Sequence, residues 1–238
     1  MLDSGRNLTH QLTHQLGAAI IQGSYAVDRS FPTEAELSQQ FNISRSVTRE
    51  AVKMLTAKGL LASRPRQGIR IMPSSHWNMF DTDVLAWTLH ARPSLDLLRE
   101  FTQLRIAIEP EAARLAASNS DDAQKIKVIA DALARIKNAD EGLDDSLAAI
   151  IEFHCAILTA SNNRFFLQLR QFITVALRVN MTHIHQLKGS LVGNYDHHKK
   201  IYIEILNGSG DSAAEAMKHL LNEFMAVIES SMTRASQS

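Results

Sequence analysis

Ser44, Arg45, Ser46, Arg49 and Lys53 form the densest group of phosphate- and base-seeking side chains in the chain. At about 100° per residue, Arg45, Ser46, Arg49 and Lys53 fall on one side of a helix and Val47, Ala51, Met54 and Leu55 on the other. A helix with such an outer face fits the major groove of B-DNA, where an arginine can bind guanine O6 and N7 with two hydrogen bonds. Arg45 and Arg49, near the helix start, are placed to meet base edges. Lys53 lies farther along and suits a phosphate, which positions rather than reads. Ser44 and Ser46 can offer hydroxyls and backbone amides to a phosphate at the helix N-terminus. A second group is Arg105, one turn before Glu109 and beside the apolar stripe Leu97, Phe101, Leu104 and Ile108. A buried arginine can hold a small carboxylate through two parallel hydrogen bonds. An intrahelical Arg105–Glu109 pair at the surface fits the same spacing equally well.

The elements that must position these groups can be read from periodicity and punctuation. Leu8, Leu12, Leu16, Ala19 and Ile20 make one helical stripe over 8–23, ended by Gly23. Thr33 precedes Glu36 by three, a capping box opening a short helix through Phe41. Asn42 and Ile43 form a tight turn, Ser44 caps a third helix running to Lys58, and Gly59 stops it. Two short β segments, 60–64 and 68–72, lie around a Pro-Arg-Gln-Gly tip at 65–68. Three helices and a basic ribbon in this span describe a winged helix-turn-helix. Pro73 begins a linker and Pro93 punctuates it again. Beyond it, helical segments are expected from 95 onward, with Pro110 bending or restarting the first, then over 122–138, 144–160, 164–187, 194–207 and 212–231. The expected fold class is mainly α. A winged helix-turn-helix over 1–75 is followed by a linker over 76–93 and an all-α antiparallel bundle of about six helices over 94–238.

Net charge is +0, but its distribution is uneven. Residues 1–73 hold nine Lys/Arg against five Asp/Glu, so this part is +4 and the remainder −4. Within 44–70 seven basic residues (Arg45, Arg49, Lys53, Lys58, Arg64, Arg66, Arg70) stand against Glu50 alone. That concentration suits a polyanion, whose condensed counterions are released on binding. On charge alone a solvated basic face serves as well. The single cysteine, Cys155, excludes an intrachain disulfide and fits a reducing cytoplasm. No apolar run reaches the ~20 residues needed to span a bilayer, and the first residues lack signal-peptide character, so a cytoplasmic protein without a membrane partner is expected.

The stretch Phe31-Pro32-Thr33-Glu34-x-Glu36-Leu37, Phe41-x-Ile43-Ser44-Arg45-Ser46-x-x-Arg49-Glu50-Ala51, Leu55-x-x-x-Gly59-Leu60 closely resembles the GntR superfamily of transcription regulators across 10–73. The resemblance implies that Arg45 and Arg49 are the main DNA contacts, with Ser44, Ser46 and a wing in support. Gly68 matches the wing-tip glycine, which permits close backbone approach to the minor groove, with Arg64 and Arg66 flanking it. Asp28-Arg29 replaces the family's proline-glycine, and Ala35 stands where several relatives carry arginine. Double-stranded operator DNA and a homodimer are the implied partners, with repression as the default.

Residues 95–230 resemble the FCD effector domain of the FadR-type branch through Leu104-Arg105-x-x-Ile108-Glu109-Pro110, Phe153-His154-x-x-Ile157 and His198-x-x-Ile201. Trp77-Asn78-x-x-Asp81-Thr82-Asp83-Val84-Leu85-x-Trp87 is similar to sugar-acid regulators, galactonate-responsive repressors in particular. The implied effector is a small carboxylate such as an aldonate or uronate, held by Arg105 with Arg178, Asn180, His154 and His198 as further candidates. Relatives often bind a divalent ion, zinc or nickel, through an aspartate one turn before the Phe-His histidine, that histidine, and two histidines from the last two helices. Here His154 and His198 remain, but Ile150 replaces the aspartate. Counting from His198 puts Leu220 at the last position, with His219 one residue early and turned by about 100°. Counting from His197 restores the spacing to His219 but spoils the match at Ile201 and Ile205. His154, His198 and His219 are therefore the candidate ligands of a degraded site, no cofactor is required, and His154 and His198 can instead hydrogen-bond the effector. The histidines at 183 and 185 lie on different faces and read as ordinary.

Catalysis is not expected. The sequence has no P-loop, dinucleotide-binding glycine pattern or nucleophile elbow, and adjacency on a helix points His154 and Cys155 apart. A helical interaction module without an effector is the remaining rival, as is a metal-dependent regulator answering another carboxylate class.

Overall fold

The computed structural model describes residues 2–26, 31–64, 68–91, 94–188 and 195–235, with side chains described except at 2–6 and 179–188. The chain divides into two compact units, Met1–Pro93 and Ser94–Ser238.

In the first unit α1 spans Leu2–Ile21, starting earlier than the Leu8 stripe alone suggests. α2 (Glu34–Gln40) opens on the expected capping box: Thr33 Oγ1 accepts from Glu36 N, and Thr33 N donates to Glu36 Oε2 at 2.8 Å. Asn42 takes φ 51, turning the chain into α3 (Arg45–Ala57). Gly59, at φ 78, ends that helix; a Cβ there would also lie 2.1 Å from the His76 carbonyl oxygen. Antiparallel strands β1 (Leu61–Arg64) and β2 (Gly68–Ile71) pair Leu61 with Ile71 and Arg64 with Gly68. Ile69 and Ile71 face the core while Gly68 and Arg70 face out, the two-residue period of a half-buried strand.

Residues 76–93, read from sequence as a linker, carry a further helix, α4 (Thr82–Ala91), within this first unit. Val84, Leu85, Trp87 and Leu89 are buried. Trp87 lies against Gly17 of α1, where a Cβ would meet its ring at 2.2 Å. Asp81 caps α4, its Oδ1 accepting from Asp83 N and Val84 N, and it also receives Lys58 Nζ at 2.7 Å. Lys58 pairs with Asp83 at 2.8 Å as well, so the C-terminal end of α3 is fastened to the start of α4. Burial works against the Lys58 ammonium, but the two aspartates outweigh it and raise its pKa.

The second unit holds six helices among the described residues: α5 (Leu95–Ser118), α6 (Ala123–Asp140), α7 (Ser146–Ala160), α8 (Arg164–Lys188), α9 (Tyr195–Leu206) and α10 (Gly210–Ala235). Ser94, Asp122 and Asp145 cap α5, α6 and α7, each side chain accepting from the backbone three residues on. α5 is the central helix, packing on α7, α8, α9 and α10. It passes through Pro110 as one helix. Proline removes one backbone donor, and the packed neighbours hold the segment helical despite that loss. None of the described helices is long and apolar enough to cross a membrane.

Candidate functional site

On α3 the buried residues are Thr48, Ala51, Val52 and Leu55, and Arg45, Ser46, Arg49 and Lys53 are exposed. The inward face is thus centred one residue away from the Val47–Met54 sector read from sequence, with Val47 and Met54 half-buried. Thr48 is tolerated inside because its hydroxyl donates locally, within reach of Arg45 O at 2.9 Å and Glu34 O at 3.2 Å. Glu34 also accepts from Arg49 Nε at 3.2 Å, tying the middle of α3 to the start of α2 and orienting the guanidinium. Lys53 pairs with Glu50 at 2.8 Å along the helix. Ser44 Oγ accepts from Val47 N at 3.4 Å and lies 2.9 Å from Ser46 Oγ, so its hydroxyl serves the helix cap. The N-terminus of α3 adds partial positive charge to this face.

Arg64 is exposed at the end of β1, opposite Gly68. Gly68 takes φ 77, a left-handed conformation that side-chain-bearing residues adopt only with strain. Arg66 lies outside the described residues. Lys58, counted in the basic stretch, is turned away into Asp81 and Asp83.

In the second unit Arg105 is 3% exposed and Glu109 1%, so the intrahelical pair forms and is buried rather than at the surface. Arg105 Nε donates to Glu109 Oε1 at 2.5 Å and Nη2 to Oε2 at 3.2 Å. His154 on α7 closes the group, its Nδ1 lying 2.7 Å from Glu109 Oε2. Arg105 Nη2 is 3.2 Å from His154 Nε2 and 3.4 Å from Nδ1. The two ring nitrogens flank one carbon, so an in-plane approach to both would collide with it. The guanidinium therefore lies against the ring face. Phe101 of α5 and Phe224 of α10 each place a ring centroid 5.9 Å from the guanidinium carbon. The buried His198 of α9 meets the His154 ring at 5.7 Å and the Phe153 ring at 5.0 Å, both edge-on.

Burial pushes the Glu109 carboxyl up, but Arg105 and then His154 outweigh it and hold the pKa at about 2. Burial lowers the His154 pKa, Glu109 partly offsets this, and Arg105 lowers it further. The neutral ring then donates from Nδ1 to the ionised Glu109. The result is a dry ion pair capped by an imidazole, at the junction of α5, α7, α9 and α10.

Arg178 on α8 is exposed, and the side chain of Asn180 lies outside the described residues. His219 is 66% exposed on its side chain and is not brought together with His154 and His198; it faces His197, ring to ring at 6.0 Å. Leu220 takes the inward position instead, fully buried, as does Ile150 on α7. A resident divalent ion at His154 and His198 does not fit this donor set. The two further ligand positions are the hydrocarbon side chains Ile150 and Leu220, the nearby Glu109 carboxylate is taken up by Arg105, and the Arg105 cation stands against one of the two imidazoles.

A helix with an exposed cationic face and a following two-stranded wing, joined in one chain to a helical unit built around a buried arginine, defines a DNA-binding regulator of transcription. The chain belongs to the family described as bacterial regulatory proteins, gntR family, whose model matches residues 8–71, and the FCD domain model matches residues 100–223. It is 32% identical to the HTH-type transcriptional regulator YieP of Escherichia coli K12, over 92% of this chain and 95% of that protein. It is 29% identical to the galactonate operon transcriptional repressor of Escherichia coli K12, over 88% of this chain and 92% of that one. The solved structure of Escherichia coli McbR/YncC shares the fold, with TM-score 0.52 at 16% identity, covering 94% of this chain and 98% of that one. These families and relatives are regulators of transcription, not enzymes.

Glu34 as a partner of Arg49 and Asp81 with Asp83 as partners of Lys58 were not read from sequence. Separations of 15, 23 and 25 residues leave no local periodic signal to find them by.

Proposed function

We propose that this chain is a homodimeric repressor that releases its operator when a small carboxylate of the sugar-acid class, an aldonate or uronate, enters the helical unit beside Arg105, His154 and His198. The observation that carries this reading is the guanidinium at the centre of the bundle, set against the His154 imidazole and two aromatic rings and engaged by an internal carboxylate, with His198 packed edge-on against His154. An incoming carboxylate has a fork to bind and imidazoles for its hydroxyls, on condition that it shares or displaces Glu109. Arg178 and Asn180 on α8 are further candidate ligands. The sugar-acid class is favoured by similarity to a repressor named for a galactonate operon. Dimerisation follows from the reading helix, since one helix spans too few base pairs for operator specificity, and two-fold copies match a palindrome.

The experiment is a thermal-shift screen of the full chain with aldonates, uronates and short hydroxy acids, with and without chelator. It is followed by fluorescence anisotropy on an operator selected from random duplexes. A sugar acid should raise the melting temperature and lower operator affinity in the same concentration range, chelator or not. Response to another carboxylate class alone would reassign the sensor, and response to none would leave a helical module without effector.

A further inference from the structure

Outside the Arg105 cluster, one group of side chains among the described residues is assembled as metal-coordinating sites are. His197 on α9 and His219 and Glu223 on α10 bring one ligand atom each to within 4.8 Å of one another. His197 Nδ1 lies 3.4 Å from Glu223 Oε2, and His219 Nδ1 lies 3.7 Å from Glu223 Oε1. The His197 Nδ1 atom is itself buried and makes no hydrogen bond, although the residue is only half-buried. His219 and Glu223 are four residues apart on one helix, which stacks them on one face. His197 approaches from the neighbouring helix, which packs along α10.

From this arrangement we propose that His197, His219 and Glu223 form a binding site for a late first-row divalent ion, zinc or nickel, at the outer edge of the α9–α10 pair. The donor set is two imidazoles and one carboxylate, the borderline composition that such ions prefer over the all-oxygen sets of calcium or magnesium. Bonds of about 2.0–2.2 Å require the three ligand atoms to draw closer together than they stand, which side-chain rotation of exposed groups can supply. The carboxylate already lies between the rings, so the motion needed is a contraction, not a rearrangement. With three protein ligands and a solvent-facing side, the ion keeps open positions for water or an external ligand.

The site is separate from the buried pair His154 and His198. On both helices it uses the residue immediately before the inward-facing position, His197 rather than His198 and His219 rather than Leu220. α9 and α10 run antiparallel, so a one-residue step on each turns the two side chains by about 100° in opposite senses about a common direction, and the two imidazoles leave the core together and still face each other. An ion bound there would cross-link α9 to α10, both of which pack against α5, the helix that carries Arg105 and Glu109.

The test is zinc and nickel titration of the full chain, free of any affinity tag and stripped with chelator, against a chromophoric competitor at pH 7.5. Wild type should bind one ion per chain. His197→Ala and His219→Ala should each weaken binding at least tenfold, with Glu223→Gln weakening it less, while the metal-free melting temperatures stay at the wild-type value. Because each of the three side chains is at least a third exposed, the substitutions should leave the fold intact, and the metal-free melting temperatures check this. The proposal is overturned if wild type binds no more tightly than the His197→Ala/His219→Ala double variant. Binding that survives in that double variant would equally place the ion elsewhere.

Discussion

Glu109 grips Arg105 through both Nε and Nη2 inside a bundle that leaves each of them almost no contact with water. The internal carboxylate thus sits on the group that an external carboxylate would seek. Burying such a pair gives little net stability, because desolvation offsets most of the attraction, but removing one partner strands the other. A competing anion that shares the fork meets a smaller penalty than one entering an apolar core.

Arg105→Ala should therefore destabilise the helical unit by roughly 3–5 kcal/mol, by leaving Glu109 buried and unpaired. Arg105→Met combined with Glu109→Gln should be far milder, since both charges go together. Operator binding by the double variant, measured by anisotropy, should match wild type while release by the sugar acid is lost. Retained release would remove Arg105 from effector recognition.

Acid should weaken the fold in two stages. The His154 pKa is depressed from 6.5, so the folded state resists protonation and its stability, complete above 6.5, drops as the pH falls below that value. Glu109 titrates at about 2 when folded against 4.5 ordinarily, so its contribution is complete above 4.5 and is lost as the pH falls from 4.5 towards 2. Urea midpoints between pH 8 and 3 should decline in that order. His154→Gln should flatten the upper stage and also narrow the lower one, because His154 helps hold the Glu109 carboxyl ionised; an unchanged upper slope would assign it to other groups.

Arg49→Ala should cost ~1–3 kcal/mol of specific operator affinity, and Lys53→Ala should weaken all duplexes alike while reducing the salt slope by about 1. Glu34→Gln should leave the fold intact and reduce discrimination between operator and scrambled duplex, since it loosens the Arg49 side chain without removing its charge. Equal affinity of wild type and Arg49→Ala for the selected operator at fixed salt would dismiss this face as the reader.

Gly17→Ala tests the contact between α1 and α4. Alanine is the better helix former by about 1 kcal/mol, yet overpacking against a rigid indole costs typically 1–3 kcal/mol, so net loss is expected. Three Trp87 ring atoms stand within 2.8 Å of the added methyl. Calorimetry of the full chain should show a lower transition temperature, restored in part by Trp87→Leu.

The reading helix was legible because its signals are local: the Ser44 cap, a 3.6-residue period and the Gly59 stop. Its inward face was read one step off, because Thr48 counts as polar until its hydroxyl is seen to be satisfied by Glu34 and Arg45 carbonyls. The helices of the second unit were legible from apolar stripes and the glycine and asparagine breaks between them. α4 was not, since ten residues with Val84, Leu85, Trp87 and Leu89 buried around most of the circumference carry no amphipathic period, and proline on both sides suggested a linker. For Arg105 the two readings, inward arginine and pair with Glu109, excluded each other only if pairing required the surface. The fold satisfies both at once. Of the histidines, sequence spacing allowed two registers between α9 and α10, and only the packing of Leu220 shows which face turns inward.

The ammonium of Lys58 makes α3 and α4 mechanically one piece. α4 is the last helix before residue 94, so any rearrangement that shifts it by more than a hydrogen-bond length must drag the far end of the reading helix along or rupture both ion pairs. Leverage on the exposed cationic face of α3 is thereby wired into the exit of the DNA-binding unit, through a single lysine turned away from that face.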